Sequence, residues 1–184
     1  MHQAIEIKIP DERVGVLIGK EGEIKKRIEE TTGCKIKINS KTGVVTVESG
    51  GDAIGFLKAQ DVIKAIGHGF NPDIAMKLLE GDFVVLEIID LTDYVSSPNA
   101  LQRVKGRIIG KEGKMRKMIE DMVGVNVSVY EKTVAIIGNP DNVSAAREAI
   151  MMLIEGAPHS TVQRFLEKKR REIKMSGLDW EQIF

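Results

Sequence analysis

Cysteine is nearly absent from this 184-residue chain: Cys34 is the only one. An intrachain disulfide and a cysteine-built metal cage are therefore excluded. Histidine is almost as scarce. His2, His68 and His159 are scattered, without the spacing of a metal-ligand set, so no metal is expected. Aromatic residues are few, and none lies beside the glycine-rich segments described below, which argues against an aromatic platform that stacks bases. No apolar run is long enough to span a bilayer. The start, Met1 to Glu6, lacks the basic segment and long apolar stretch of a secretory signal, so a cytoplasmic protein with no membrane contact is expected. No Ser-His-Asp, Cys-His or paired-carboxylate set stands out. The expectation is no enzyme, no catalytic residue and no cofactor.

Net charge is also missing, with 27 basic and 27 acidic residues. The charges are nevertheless sorted along the chain. Arg13 to Arg27 holds five basic residues against two acidic, and Arg103 to Lys117 holds seven against one. A third basic run, Arg164 to Lys174, carries six against two. Opposing acids gather at Asp73, Glu80, Asp82, Glu87, Asp90 and Asp93, where only Lys77 offsets them. Local concentration of one sign is what attracts a polyanion, whatever the total.

Two of the basic runs surround copies of one motif. Residues 14–33 align with 105–124, and ten of the twenty positions are identical. They include Gly15/Gly106, Ile18/Ile109, the run Gly19-Lys20-Glu21-Gly22 against Gly110-Lys111-Glu112-Gly113, Lys26/Lys117, Ile28/Ile119, Glu29/Glu120 and Gly33/Gly124. About one identity is expected by chance from average composition. The pattern continues beyond the identities. Ile5, Ile7 and Ile9 alternate with polar residues ahead of the first motif, and the apolar run Phe83 to Ile89 stands ahead of the second as a more buried strand. Ile36 and Ile38, or Val127 and Val129, alternate after it, and a further strand follows at 44–47 or 133–137. Each copy closes with a helix, opened by Asp52 or near Pro140, with Ala59, Val62, Ile63 and Ile66, or Ala146, Ala149, Ile150 and Leu153, on its inward face. Each copy therefore reads strand, helix, Gly-Lys-Glu-Gly, helix, strand, strand, helix.

The chemistry of the motif follows from its frame. A pair of glycines between helices makes a tight turn that a ligand backbone can approach closely. The following helix presents free N–H groups and a positive dipole end, which favour phosphate. Lys20 and Lys111 add a mobile positive charge. The candidate ligand-contacting residues, assigned to RNA by the resemblance given below, are Ile18, Gly19, Lys20, Glu21, Gly22, Lys25 and Lys26 in copy one. In copy two they are Arg103, Lys105, Arg107, Ile109, Gly110, Lys111, Glu112, Gly113, Lys114, Arg116 and Lys117. Copy two has the larger positive excess and is expected to bind more tightly. A Gly-x-x-x-Gly-Lys also occurs at 15–20 and 106–111. It is one residue short of a P-loop and has Glu in place of the magnesium-binding Ser/Thr, so nucleotide hydrolysis is rejected.

The element order with this loop resembles the type I KH domain. That resemblance implies an α+β fold: two type I KH domains, each β-α-α-β-β-α with a three-stranded antiparallel sheet packed on three helices, plus a C-terminal basic helix. The expected divisions are a first KH domain at 1–69, a helical connector at 70–81, a second KH domain at 82–156 and a basic helical tail at 157–184. By resemblance, such domains clamp about four nucleotides and hold the bases on an apolar groove. The segments 69–72 and 86–91 and the tail at 161–169 narrow the likeness further. The chain resembles archaeal proteins of the Krr/partner-of-Nob family, which act in small ribosomal subunit assembly and pre-rRNA processing. The resemblance implies single-stranded RNA near the 3′ end of small-subunit rRNA, the α subunit of initiation factor two and a Nob-type endonuclease as partners. The protein itself is expected to be a monomer. The alternative is a translation- or ribosome-associated adaptor in which RNA binding is secondary. For the tail, a helix docked by Val162, Phe165 and Leu166 and an extra RNA contact stand as equal readings. The terminal aromatics, Trp180 to Phe184, are expected to dock on the body or on a partner.

Overall fold

The computed structural model describes residues 2–183, with side chains to residue 177. Among them the chain divides into two compact units, to Leu86 and from Glu87 onward.

In the first unit, β1 (Ala4–Lys8) leads into α1 (Asp11–Ile18), a tight turn at Lys20–Gly22 and α2 (Glu23–Thr32). β2 (Lys35–Asn39), β3 (Val44–Glu48) and α3 (Ala53–Gly67) complete the expected order. The sheet is antiparallel with β3 in the centre. Val47 stands between Ile5 and Ile36, and Val45 between Ile7 and Ile38, so the alternating apolar residues form one face. α3 covers that face with Ala59, Val62, Ile63 and Ile66, all fully buried. Its first turn is capped by Asp52, whose carboxylate accepts the Ile54 N–H at 3.0 Å. Residues 70–81 are more than a spacer. They form two short helices, α4 (Pro72–Ala75) and α5 (Lys77–Glu80), and bury Phe70, Ala75, Met76 and Leu78 within this unit.

The second unit repeats the plan. Its elements are β4 (Val85–Asp90), α6 (Pro98–Ile109), a turn at Lys111–Gly113, α7 (Lys114–Val123), β5 (Asn126–Tyr130), β6 (Thr133–Gly138) and α8 (Pro140–Ile154). The strand order is β4-β6-β5. One expectation needs correcting. The sequence pattern predicts a more buried strand from Phe83 to Ile89, yet the strand begins at Val85, Phe83 is 75% exposed, and only Ile89 of β4 is buried. The reason is position: β4 is a sheet edge, whereas the central strand β6 is buried from Thr133 to Ile137. Met115 is buried in the core of this unit, and Met118 and Met122 pack against the same cluster.

The tail is one long helix, α9 (His159–Ile183), packed on α7 and α8. Val162 and Leu166 are fully buried in the core of this unit, and Phe165 and Ile173 pack against it. Burying two such side chains contributes roughly 3–6 kcal/mol of gross stabilisation. The side chains of Trp180 and Phe184 lie outside the described residues.

Candidate nucleic-acid interface

The two Gly-Lys-Glu-Gly turns are built alike. α1 ends where the Gly19 N–H donates to the Gly15 carbonyl at 2.9 Å, and α6 where Gly110 donates to Gly106 at 2.8 Å. The first glycine of each then adopts an extended, positive-φ backbone, φ 74° and ψ 176° at Gly19 and φ 74° and ψ 174° at Gly110. L-residues essentially never adopt that conformation. Space forbids a side chain as well. A Cβ on Gly19 would lie 2.9 Å from the Ile24 backbone nitrogen, and one on Gly110 would lie 2.7 Å from that of Met115. Gly22 and Gly113 differ. Both are left-handed, but nothing stands within 4 Å of a Cβ at Gly22, and only the end of Arg116 comes near one at Gly113. The space above the second glycine is clear, as a ligand backbone requires.

Between the glycines, Lys20, Glu21, Lys111 and Glu112 are all exposed. Glu21 and Glu112 take φ of 56° and 57°, uncommon for a non-glycine residue, and do so identically in both copies. α2 and α7 then start with no side-chain cap on their first N–H groups. Uncapped helix starts beside an exposed lysine suit an oxyanion. Ile18 and Ile109, at the ends of the preceding helices, are half-buried, as are Ile38 and Val129 on the strands that follow. Apolar surface therefore remains open beside each turn.

The surroundings distinguish the copies. Beside the first turn Lys25 pairs with Glu29 at 3.7 Å and Lys26 with Glu30 at 3.9 Å. Arg27 bridges Asp73 and Glu80, so part of the acidic run lies against this helix. Beside the second turn Arg116 pairs with Glu120 at 2.7 Å. Arg103, Lys105, Lys111, Lys114 and Lys117 have no ion-pair partner among the described residues. Positive charge is offset at the first turn and largely free at the second.

Arg107 sits apart from the other candidates. Its Nε donates to the Leu153 carbonyl at 3.1 Å and its Nη2 donates to the Ala157 carbonyl, tying α6 to the C-terminal end of α8. In the first unit Arg13 does the same one turn earlier on its helix, donating to Ile66 at 2.7 Å and Phe70 at 2.6 Å. These are charge-assisted bonds to carbonyls at the end of a helix and just beyond it. Arg107→Leu is expected to lower the stability of the second unit by about 3 kcal/mol, the loss of two such bonds. Chemical denaturation measures it. A loss under about 0.5 kcal/mol, the size of an ordinary surface change, would refute the clamp.

Glu29 and Glu120, identical in the repeat, hold the edge strands. Ile36 donates its N–H to Glu29 Oε2 at 3.0 Å, and Val127 donates to Glu120 Oε2 at 3.1 Å. Since β2 and β5 are edge strands, these N–H groups point away from the sheet. No cluster able to hold a metal ion occurs among the described residues, nor does any helix long and apolar enough to cross a membrane.

This geometry has a family. The KH domain description matches residues 4–65, and the eukaryotic-type KH domain, type I, matches residues 85–171. A KH domain-containing protein of Methanocaldococcus jannaschii is 49% identical over 96% of this chain and 79% of its own length. The crystal structure of Dim2p from Pyrococcus horikoshii is also 49% identical, with a TM-score of 0.84 over 90% of this chain and 99% of that one. The chain belongs to the PNO1/Dim2 family of two-KH-domain proteins. A further PNO1/Dim2 relative, the pre-rRNA-processing protein pno1 of Emericella nidulans, is 29% identical over 92% of this chain and 67% of its own. Among solved structures, the complex of a/eIF2alpha, aDim2p and rRNA from Pyrococcus horikoshii contains a chain 48% identical to this one. The TM-score is 0.87, covering 93% of this chain and 96% of that one. The PNO1/Dim2 assignment agrees with the resemblance drawn from the repeat and its loops.

Proposed function

We propose that this chain binds single-stranded RNA through its two Gly-Lys-Glu-Gly turns, in the 3′ region of small-subunit rRNA during ribosome assembly. The observation that carries the reading is the pair of matched turns, each with an uncapped helix start and an exposed lysine. Relatives named for pre-rRNA processing, and a solved relative held with rRNA, support the choice of RNA. In this reading Gly19, Lys20, Glu21 and Gly22, and Gly110, Lys111, Glu112 and Gly113, take the phosphates. Lys25, Lys26, Arg103, Lys105, Lys114, Arg116 and Lys117 extend the track, and Ile18 and Ile109 floor the bases. Arg107 serves by positioning α6 rather than by touching phosphate. The second unit is the tighter site, because its cations other than Arg116 have no carboxylate partner among the described residues.

The chain acts as a binding protein, not an enzyme, and works as a cytoplasmic monomer. An initiation-factor-two α subunit is a partner in this reading, as in the solved relative's complex. A Nob-type endonuclease follows from the family resemblance. The adaptor reading, with RNA secondary, keeps support from the same complex.

Titration of a single-stranded RNA at several salt concentrations tests the proposal. With about four phosphates held per domain, log K should fall against log salt with a slope of about −3 per occupied domain. A slope near zero would remove the phosphate clamp and leave the adaptor reading.

A further inference from the structure

The third basic run is not used by either turn. On α9, Val162, Leu166 and Ile173 face the core at helical spacing. Arg164, Lys168 and Arg171 therefore fall on the opposite side, and all three are exposed. They recur at i, i+4 and i+7, a stripe about 10 Å long at a rise of 1.5 Å per residue. Lys168 has Glu172 at 4.0 Å, while Arg164 and Arg171 have no ion-pair partner among the described residues.

Where this stripe begins matters. The His159 ring, in the first turn of α9, meets the carbonyl of Arg107 at 3.1 Å, three residues before Gly110. Further along, the Arg170 guanidinium lies 3.8 Å from the Met122 sulfur, near the end of α7. α9 thus runs beside α7 in the same direction, starting at the end that carries the turn. The stripe leads away from the place where phosphate is held.

We propose that the exposed Arg164–Lys168–Arg171 face of α9 is a second RNA site, one that takes the phosphates of a base-paired segment adjoining the single strand at the second turn. The proposal rests on the RNA reading above. Charge complementarity names a polyanion. The shape of the site favours duplex over single strand. A single strand is held in a groove that receives its bases, or on aromatic rings, and this face offers neither. A rigid row of cations on a convex helix instead fits the regular backbone of an A-form duplex, which proteins recognise by shape and phosphate.

The test compares two RNAs on the full chain: a single strand of about ten nucleotides, and the same strand joined to a hairpin of about 16 base pairs. The wild-type protein should bind the tailed hairpin about tenfold more tightly at moderate salt. Arg164→Glu with Arg171→Glu should abolish that gain and leave single-strand affinity unchanged. Arg164→Gln with Arg171→Gln, a milder change at exposed positions, should lose most of the gain. If the wild type binds the single strand but gains nothing from the hairpin, or if the reversed variant keeps the gain, this proposal fails alone. If the wild type binds neither RNA, the single-strand reading fails and takes this one with it.

Discussion

Lys111→Asp combined with Glu112→Asp is expected to weaken single-stranded RNA binding by about 100-fold at 0.1 M salt. The estimate comes from charge. Replacing an ammonium by a carboxylate beside a phosphate changes the local charge by two. Each charge at about 4 Å contributes on the order of 1 kcal/mol in a wet site and more where water is partly excluded. A total of about 2.7 kcal/mol is about 100-fold. The fold should survive. Both positions are exposed, and aspartate tolerates the left-handed backbone at Glu112 better than glutamate does. The same pair of changes at Lys20 and Glu21 should cost only about tenfold in total affinity, because the first turn's cations already face Glu29, Glu30, Asp73 and Glu80. Filter binding at two salt concentrations decides it. Equal losses from the two variants would discard the ranking of the units, and no loss from either would discard phosphate binding at the turns.

The second large effect concerns stability. Gly110→Ala is expected to destabilise the second unit by about 3–5 kcal/mol. Part of this is the backbone region, which costs an L-residue about 1–3 kcal/mol. The rest is the Cβ set 2.7 Å from the Met115 backbone nitrogen, which forces the start of α7 to move. Gly113→Ala is the built-in comparison. Its conformation is merely left-handed and its surroundings are open, so it should cost about 1–2 kcal/mol. Chemical denaturation of both variants checks the order. If Gly110→Ala proved the milder, the tight-turn geometry would be wrong.

Much of this architecture could be read from the chain. Alternation at Ile5, Ile7 and Ile36, Ile38 gave strands because a half-buried strand repeats every two residues. The spacing of Ala59, Val62, Ile63 and Ile66 gave the buried face of a helix. The turns were legible because their conformation admits glycine and because the motif occurs twice. Other features were not legible, for identifiable reasons. The bonds of Arg13 and Arg107 join residues about 50 positions apart, and a basic residue near a phosphate-binding motif gives no local sign that it turns inward. Offset from each other by one helical turn, the two arginines also fall outside the register of the repeat. The degree of burial of β4 was misjudged because composition reports hydrophobicity and not place in a sheet. Glu29 and Glu120 carried the one signal that could have been used, their identity across the repeat. Their role, though, depends on a strand edge seven residues away. The docking face of α9 was visible as Val162, Phe165 and Leu166, but not its alignment with α7.

Those two glutamates have a consequence unrelated to ligand. A bare strand margin is a template on which a neighbouring chain can add a further strand. At Ile36 and Val127 the outward N–H is already taken by the molecule's own carboxylate. A foreign strand arriving there would have to displace an acid held by the adjacent helix, and would meet an acceptor where it needs a donor. The protein thereby guards its sheets against self-association along the β2 and β5 margins.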